Sequence, residues 1–300
     1  MRYFIIFIAF LASCTSQVST NRKIIDTHFH AFSFDEYGYP PPPNEITGVV
    51  PASKSNSEVI KNMISQLDRF NIKFAIASGP TKAIYSYQAV DKKRFLGGYY
   101  YSPRYPFPDT TEFINLIKEG TIRVLGELGL SYGGLTLTDS VMIPYLNICS
   151  RYNIPIALHT GLGDTGTPYQ KCCPNFRTIL GNPQAIEEIL VKYPSLKVQL
   201  MHAGWPYIEE TKAILYMYPQ VNVDVAVINW ALPVKEFHSY LEQLVNAGFS
   251  NRIMYGSDQM VWDDAFKISI ENVESANFLT KQQKEDIFYN NAKSFFDIKE

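Results

Sequence analysis

The chain has 300 residues, of which 46% are hydrophobic and 19% charged, a balance that supports a large buried core and excludes a disordered, collagenous or coiled-coil protein. Its 27 Lys and Arg against 29 Asp and Glu give a formal net charge of −2, with no long basic block to capture nucleic acid. At about 150 residues per domain the length allows two domains, but one α/β barrel of about 250 residues with insertions fits as well.

At the start of the chain, Arg2 precedes an apolar run over residues 3–11. As a helix this run would reach only about 14 Å, half of a hydrocarbon core of about 30 Å, so it reads as a signal peptide and not as a membrane span. It closes as Leu11-Ala12-Ser13-Cys14, which resembles the lipobox of bacterial lipoproteins. That resemblance implies cleavage before Cys14, acylation of Cys14, and a lipid-anchored protein of the cell envelope, periplasmic or surface-facing. Residues 1–13 would be the signal peptide, 14–23 the lipidated tether and 24–300 the folded domain. A plain secretory leader with a chance cysteine is the alternative.

Beyond the tether, short β-branched runs alternate with segments of helical period, the pattern of a parallel sheet covered by helices. Eight such runs begin near Ile24, Ile72, Phe95, Ile122, Ile156, Val198, Val221 and Ile253. The first is followed by a long irregular stretch, 32–56, which includes Pro40 to Pro43; loops of this length are usually functional or mobile. Ser57 is positioned to cap a helix with the stripe Ile60, Ile64, Leu67 and Phe70, and a weaker helix spans about 83–90. Asn182-Pro183 forms a cap and first turn leading into Ile186, Ile189, Leu190 and Tyr193. Val234, Phe237, Leu241, Leu244 and Val245 make another stripe, with His238 on its polar, solvated side. Thr280 and Gln283 have the spacing of a capping box for a last helix through Ile287, Phe288 and Phe295. No glycine-rich phosphate turn follows the first run, so a closed single-domain (β/α)8 TIM barrel is preferred over an open doubly wound sheet. Cys149, Cys172 and Cys173 imply no disulfide framework. The adjacent pair, among Pro and Asn, is open to a strained bond, a metal contact or plain loop residues, and the last is favoured.

Four of the five histidines fall at the carboxyl ends of predicted strands, where an α/β barrel builds its active site. Asp26, His28 and His30 alternate on the first strand and so share a side. His159 ends the fifth strand and His202 the sixth, while Glu127 and Asp258 occupy matching positions on the fourth and eighth. A carboxylate ending a buried apolar strand needs a cation or a partner. Mixed imidazole and carboxylate donors suit zinc, manganese or iron better than magnesium or calcium. Each residue also has a plainer reading, set second to ligation: a strand histidine is often a hydrogen-bonded core residue, His159 or His202 would instead contact substrate, and Glu127 would instead serve as an ion-pair partner.

With these residues in view, the chain after the tether resembles the metal-dependent amidohydrolase superfamily, in its amidohydrolase-related branch. The resemblance rests on the His-x-His pair His28 and His30, on Glu127, His159, His202 and Asp258, and on the ending Ile287-Phe288-Tyr289-Asn290-Asn291-Ala292. It implies a TIM barrel holding one or two divalent ions, most simply zinc with manganese or iron as alternatives. Where other members carry a carboxylated lysine on strand four, this chain has the glutamate variant. The expected activity is hydrolysis of a small molecule (ester, lactone, amide or phosphoester) by metal-activated water, with Asp258 as base and then acid and His202 assisting. The alternatives are a metal-dependent decarboxylase or lyase acting on a small unsaturated or aromatic carboxylic acid, and a non-catalytic ligand-binding lipoprotein. The substrate pocket is expected from residues that follow the strands: Arg104, Trp205 and Trp230, with Ser102, Tyr132, Tyr207, Asn229, Gln259 and Trp262 nearby. Oligomeric state is not legible.

Overall fold

A computed structural model describes residues 22–299. The signal peptide, the acylation site at Cys14 and most of the tether lie outside the described residues. Eight strands, β1 (Ile24–His30), β2 (Ile72–Gly79), β3 (Phe95–Tyr101), β4 (Ile122–Leu128), β5 (Ile156–His159), β6 (Val198–Met201), β7 (Val221–Asp224) and β8 (Ile253–Met254), start at the residues expected from the apolar runs. They pair in chain order as one parallel sheet. Its two edges meet where the Thr27 amide donates to Tyr255 O (3.0 Å) and the Asp258 amide to His28 O (2.7 Å). The architecture is a TIM barrel.

Strand residues alternate between two apolar clusters, which is why the runs are hydrophobic throughout. One alternate set (Ile24, Ile72, Leu125, Leu158, Leu200, Val223) faces the surrounding helices. The other (Ile25, Ile76, Val124, Ala157, Met201, Met254) closes the interior under Phe295 and Phe296 of the last helical turn. The amino-terminal end of the barrel is thus an apolar plug, and polar interior residues are left at the carboxyl end.

The connecting helices follow local signals, with three differences. The helix Asn56–Arg69 is capped by Ser55, whose Oγ accepts from the Glu58 amide at 3.3 Å, and not by Ser57. Starting there turns Val59 and Met63 inward beside Leu67, while Ile60 and Ile64 are only partly buried. His238 is not a solvated residue: it is half-buried, and its Nε2 donates to Asn272 O at 2.8 Å. After Asn182 the chain makes a 3-10 turn, Pro183–Ile186, before the helix Glu187–Lys192, with Asn182 Oδ1 accepting from the Gln184 amide as a cap. The Thr280–Gln283 capping box is formed in both directions. Among the described residues no helix is long and apolar enough to cross a membrane.

Candidate active site

The strand ends bring His28, His30, Glu127, His159, His202 and Asp258 into one buried cluster. Glu127 is its hub. Its Oε2 lies 3.4 Å from His28 Nε2 and 3.2 Å from His30 Nε2, and its Oε1 lies 2.8 Å from His159 Nδ1 and 3.9 Å from His202 Nε2. Asp258 Oδ1 is 2.8 Å from His30 Nε2 and 3.6 Å from His28 Nε2. Two triads, His28/Glu127/His202 and His28/His30/Asp258, each have potential ligand atoms within 4.8 Å of one another. His159 belongs to neither triad; it sits beside them, 3.0 Å from His202 Nε2.

The far side of the rings orients them. Only a donating nitrogen can bond a carbonyl, so His202 Nδ1–H points to Ala226 O (3.0 Å) and its Nε2 faces the cluster. His159 Nε2 likewise reaches Leu162 O at 3.3 Å, which turns its Nδ1 toward Glu127. His28 Nδ1 lies 3.5 Å from Asp224 Oδ2. Phe32 stacks on the His30 ring at 4.3 Å and Tyr132 packs on His159 at 4.8 Å, so the imidazoles have little room to turn. His202 and Asp258 carry left-handed φ angles of 60° and 49°, a conformation that side chains with a Cβ adopt at a cost of about 1–3 kcal/mol. The His202 amide bond to Asp224 Oδ1 (3.0 Å) and the Asp258 amide bond to His28 O hold those turns.

Electrostatics couple the cluster. Burial alone would lower His28 and His30; the Asp258 and Glu127 carboxylates outweigh it, raising His28 well above its ordinary value and His30 to about 9. Burial would raise Glu127 and Asp258, and the surrounding histidines overcome it, taking Glu127 well below the usual range and Asp258 to about 2. Even so, His28 Nδ1 and Nε2, His30 Nδ1 and Asp258 Oδ1 are buried without a well-directed hydrogen bond. Orphaned polar atoms of this kind are expensive, and two of them, His28 Nε2 and Asp258 Oδ1, face one another at 3.6 Å. The residues present therefore fit a divalent cation of the zinc, manganese or iron type.

Above the cluster is a cavity of about 270 Å³ floored by Glu127, His159, His202 and Asp258. Of the expected pocket residues, Ser102, Arg104, Tyr132 and Trp205 line it, Arg104 from an exposed position. Trp230 does not: it is buried, and its indole donates to Ser257 O at 2.7 Å. Asn229 bonds Gly256 O, and Gln259 both accepts from the His30 amide and donates to its carbonyl. These three brace the loop that carries Asp258. Tyr207 and Trp262 also lie outside the lining, spent on Thr178 O and Pro42 O.

The sequence reading missed Tyr37, Tyr100, Glu36 and Asp164 in the cavity wall, and Asp224 beneath it. Asp224 carries the same signal as Glu127, an acid ending an apolar strand. Cys172 and Cys173 are not plain loop residues but form a disulfide in the cavity wall, while Cys149 is buried and free.

A family model described as amidohydrolase matches residues 25–298. Among solved structures, the barrel is similar to a probable 2-pyrone-4,6-dicarboxylic acid hydrolase from Acinetobacter baumannii with citric acid bound (18% identity, TM-score 0.63, covering 91% of this chain and 99% of that one). It is also similar to 5-carboxyvanillate decarboxylase from Novosphingobium aromaticivorans complexed with manganese (14% identity, TM-score 0.58, 94% and 97%). At these identities the likeness concerns the fold. Among curated proteins, Protein fluG of Emericella nidulans is 22% identical over 163 residues; the match covers 49% of this chain and only 18% of that protein's length.

Proposed function

The chain belongs to the amidohydrolase family and is an enzyme of that family, and we propose that it hydrolyses an ester, lactone, amide or phosphoester bond of a small molecule with a divalent ion, zinc first, held by His28, His30, Glu127, His202 and Asp258. His159 would orient Glu127 and complete the set. The observation that carries this reading is Glu127, a buried carboxylate within 3.9 Å of a nitrogen of each of His28, His30, His159 and His202. When bound, the ion supplies Lewis-acid polarisation of a substrate oxygen and a water acidified toward a pKa of about 7.

Asp258 takes the proton of the attacking water and returns it to the leaving group. His202 assists through the ion, its Nδ1–H held by Ala226 O so that Nε2 stays turned to the cluster, and Tyr132 and Trp205 keep bulk water away. A decarboxylase remains the second reading, favoured by the guanidinium of Arg104 at the rim. Counting metal in purified protein starting after Arg22, then offering it esters, lactones, amides and aromatic carboxylates, separates the two: hydrolysis lost on chelation supports the first, and release of carbon dioxide from a carboxylate replaces it with the second. A protein that holds no metal contradicts both and leaves only ligand binding.

Attachment to the cell envelope through acylated Cys14 belongs to the same proposal and rests on Leu11-Ala12-Ser13-Cys14. Labelled palmitate should enter the full-length chain, and Cys14→Ala should abolish that; incorporation unchanged by the substitution would refute it.

A further inference from the structure

We propose that the Cys172–Cys173 disulfide is a substrate-contacting part of the active-site wall and that its closed sulfur–sulfur bond helps set which substrates the pocket accepts. Both cysteines line the same cavity as Glu127, His159, His202 and Asp258. At about 270 Å³ that cavity lies near the lower end of ligand pockets, so a molecule filling it meets its walls as well as its floor.

Two adjacent cysteines in one disulfide close a small ring through their own backbone, and Pro174 fixes the next φ. The Cys173 amide donates to Gln170 O (3.1 Å) and Cys173 O accepts from the Phe176 amide (3.0 Å), so the ring sits in a hydrogen-bonded turn. Cys173 is buried, and Phe176 packs on Tyr132 at 5.4 Å, which in turn packs on His159. The turn is thereby tied to a ring on the cavity floor. Oxidised sulfur offers no proton to donate and is polarisable and mostly apolar. Facing a polar floor, it favours the apolar side of a substrate.

The inference rests on the metal-dependent reading of the same site, and two hydroxamate probes separate their failures. Acetohydroxamic acid offers little more than a chelating group. Benzohydroxamic acid adds a ring that must go to the wall. Calorimetry compares their binding to the metal-loaded enzyme and to the Cys172→Ser/Cys173→Ser variant. Benzohydroxamate binding should weaken about fivefold, as expected for loss of roughly one well-buried apolar contact, with acetohydroxamate binding and metal content unchanged. Equal weakening of both probes would reduce the pair to a structural brace, and no change in either would remove it from the wall; each result overturns the proposal. No acetohydroxamate binding by the unaltered enzyme overturns the metal reading and this inference with it.

If the variant fails to fold, the unaltered holoenzyme is treated with a water-soluble phosphine. The phosphine is oxidised to its oxide with oxygen from water, and two electrons and two protons pass to the sulfurs as the S–S bond breaks into two thiols. The same selective loss is expected, and its absence counts against the proposal.

Discussion

Asp258 and Asp224 are both buried carboxylates at strand ends, but they face different chemistry. Asp258 points at the histidine pair of β1 and into the cavity, and Asp258→Asn should retain metal while losing about 10²- to 10⁴-fold in kcat, the usual contribution of a positioned acid or base; retained metal with full activity would remove it from the reaction. Asp224 does not line the cavity above the cluster. It accepts from the Gln199 side chain and the His202 and Ala226 amides and lies beside His28. Asp224→Asn is expected to weaken metal affinity about 10- to 100-fold, the usual effect of losing an orienting partner, measured by competition with a chromophoric chelator. The pKa values also set a pH signature for metal-free protein. His30, raised to about 9, contributes stability that is full below its unfolded value of about 6.5 and is lost as pH climbs through 9. Glu127 and Asp258, both lowered, contribute above about pH 4 and lose that stability in stronger acid. Melting temperatures of chelated protein should therefore decline between about pH 6.5 and 9, whereas with the ion in place of the proton that decline should shrink; identical profiles would contradict the pairing.

At the scale of elements, the strands were legible because a strand covered on both faces has to be apolar throughout, and every start agreed with the apolar runs. The six clustered side chains were legible for the complementary reason: each breaks such a run at its carboxyl end. Asp224 obeys the same rule, so its omission reflects an unused signal. Trp230 and the wall residues Tyr37 and Asp164 could not be sorted from sequence, because which way a loop side chain turns depends on contacts made far along the chain. For Trp230 that contact is Ser257 O. Cap choice is similarly contextual, since Ser55 and Ser57 are chemically equivalent and the packing of Val59 and Met63 decides between them. Ser55→Ala should cost about 1 kcal/mol and Ser57→Ala much less in chemical denaturation. Gly256 is demanded by close approach: a Cβ there would lie 2.7 Å from His28 Cβ and 2.9 Å from Ala226 Cβ. Gly256→Ala is expected to displace β1 from the Asp258 loop and to lower metal content before it unfolds the barrel.

For the whole molecule, the barrel is closed by bonds between β1 and the segment after β8, the same two elements that supply His28, His30 and Asp258. Metal binding and barrel closure are therefore coupled. An ion at about 100 times its Kd adds about 2.7 kcal/mol, so chelation should lower Tm by roughly 5 °C for a chain of this size. The decisive claim is that side chains from four strand ends share one cation, and the direct measurement is X-ray absorption at the metal edge of zinc-loaded enzyme. The expected spectrum shows only nitrogen and oxygen donors at about 2.0–2.2 Å with imidazole outer-shell scattering, weakened in Glu127→Gln. A shell of water oxygens without imidazole, or sulfur at about 2.3 Å, would contradict it.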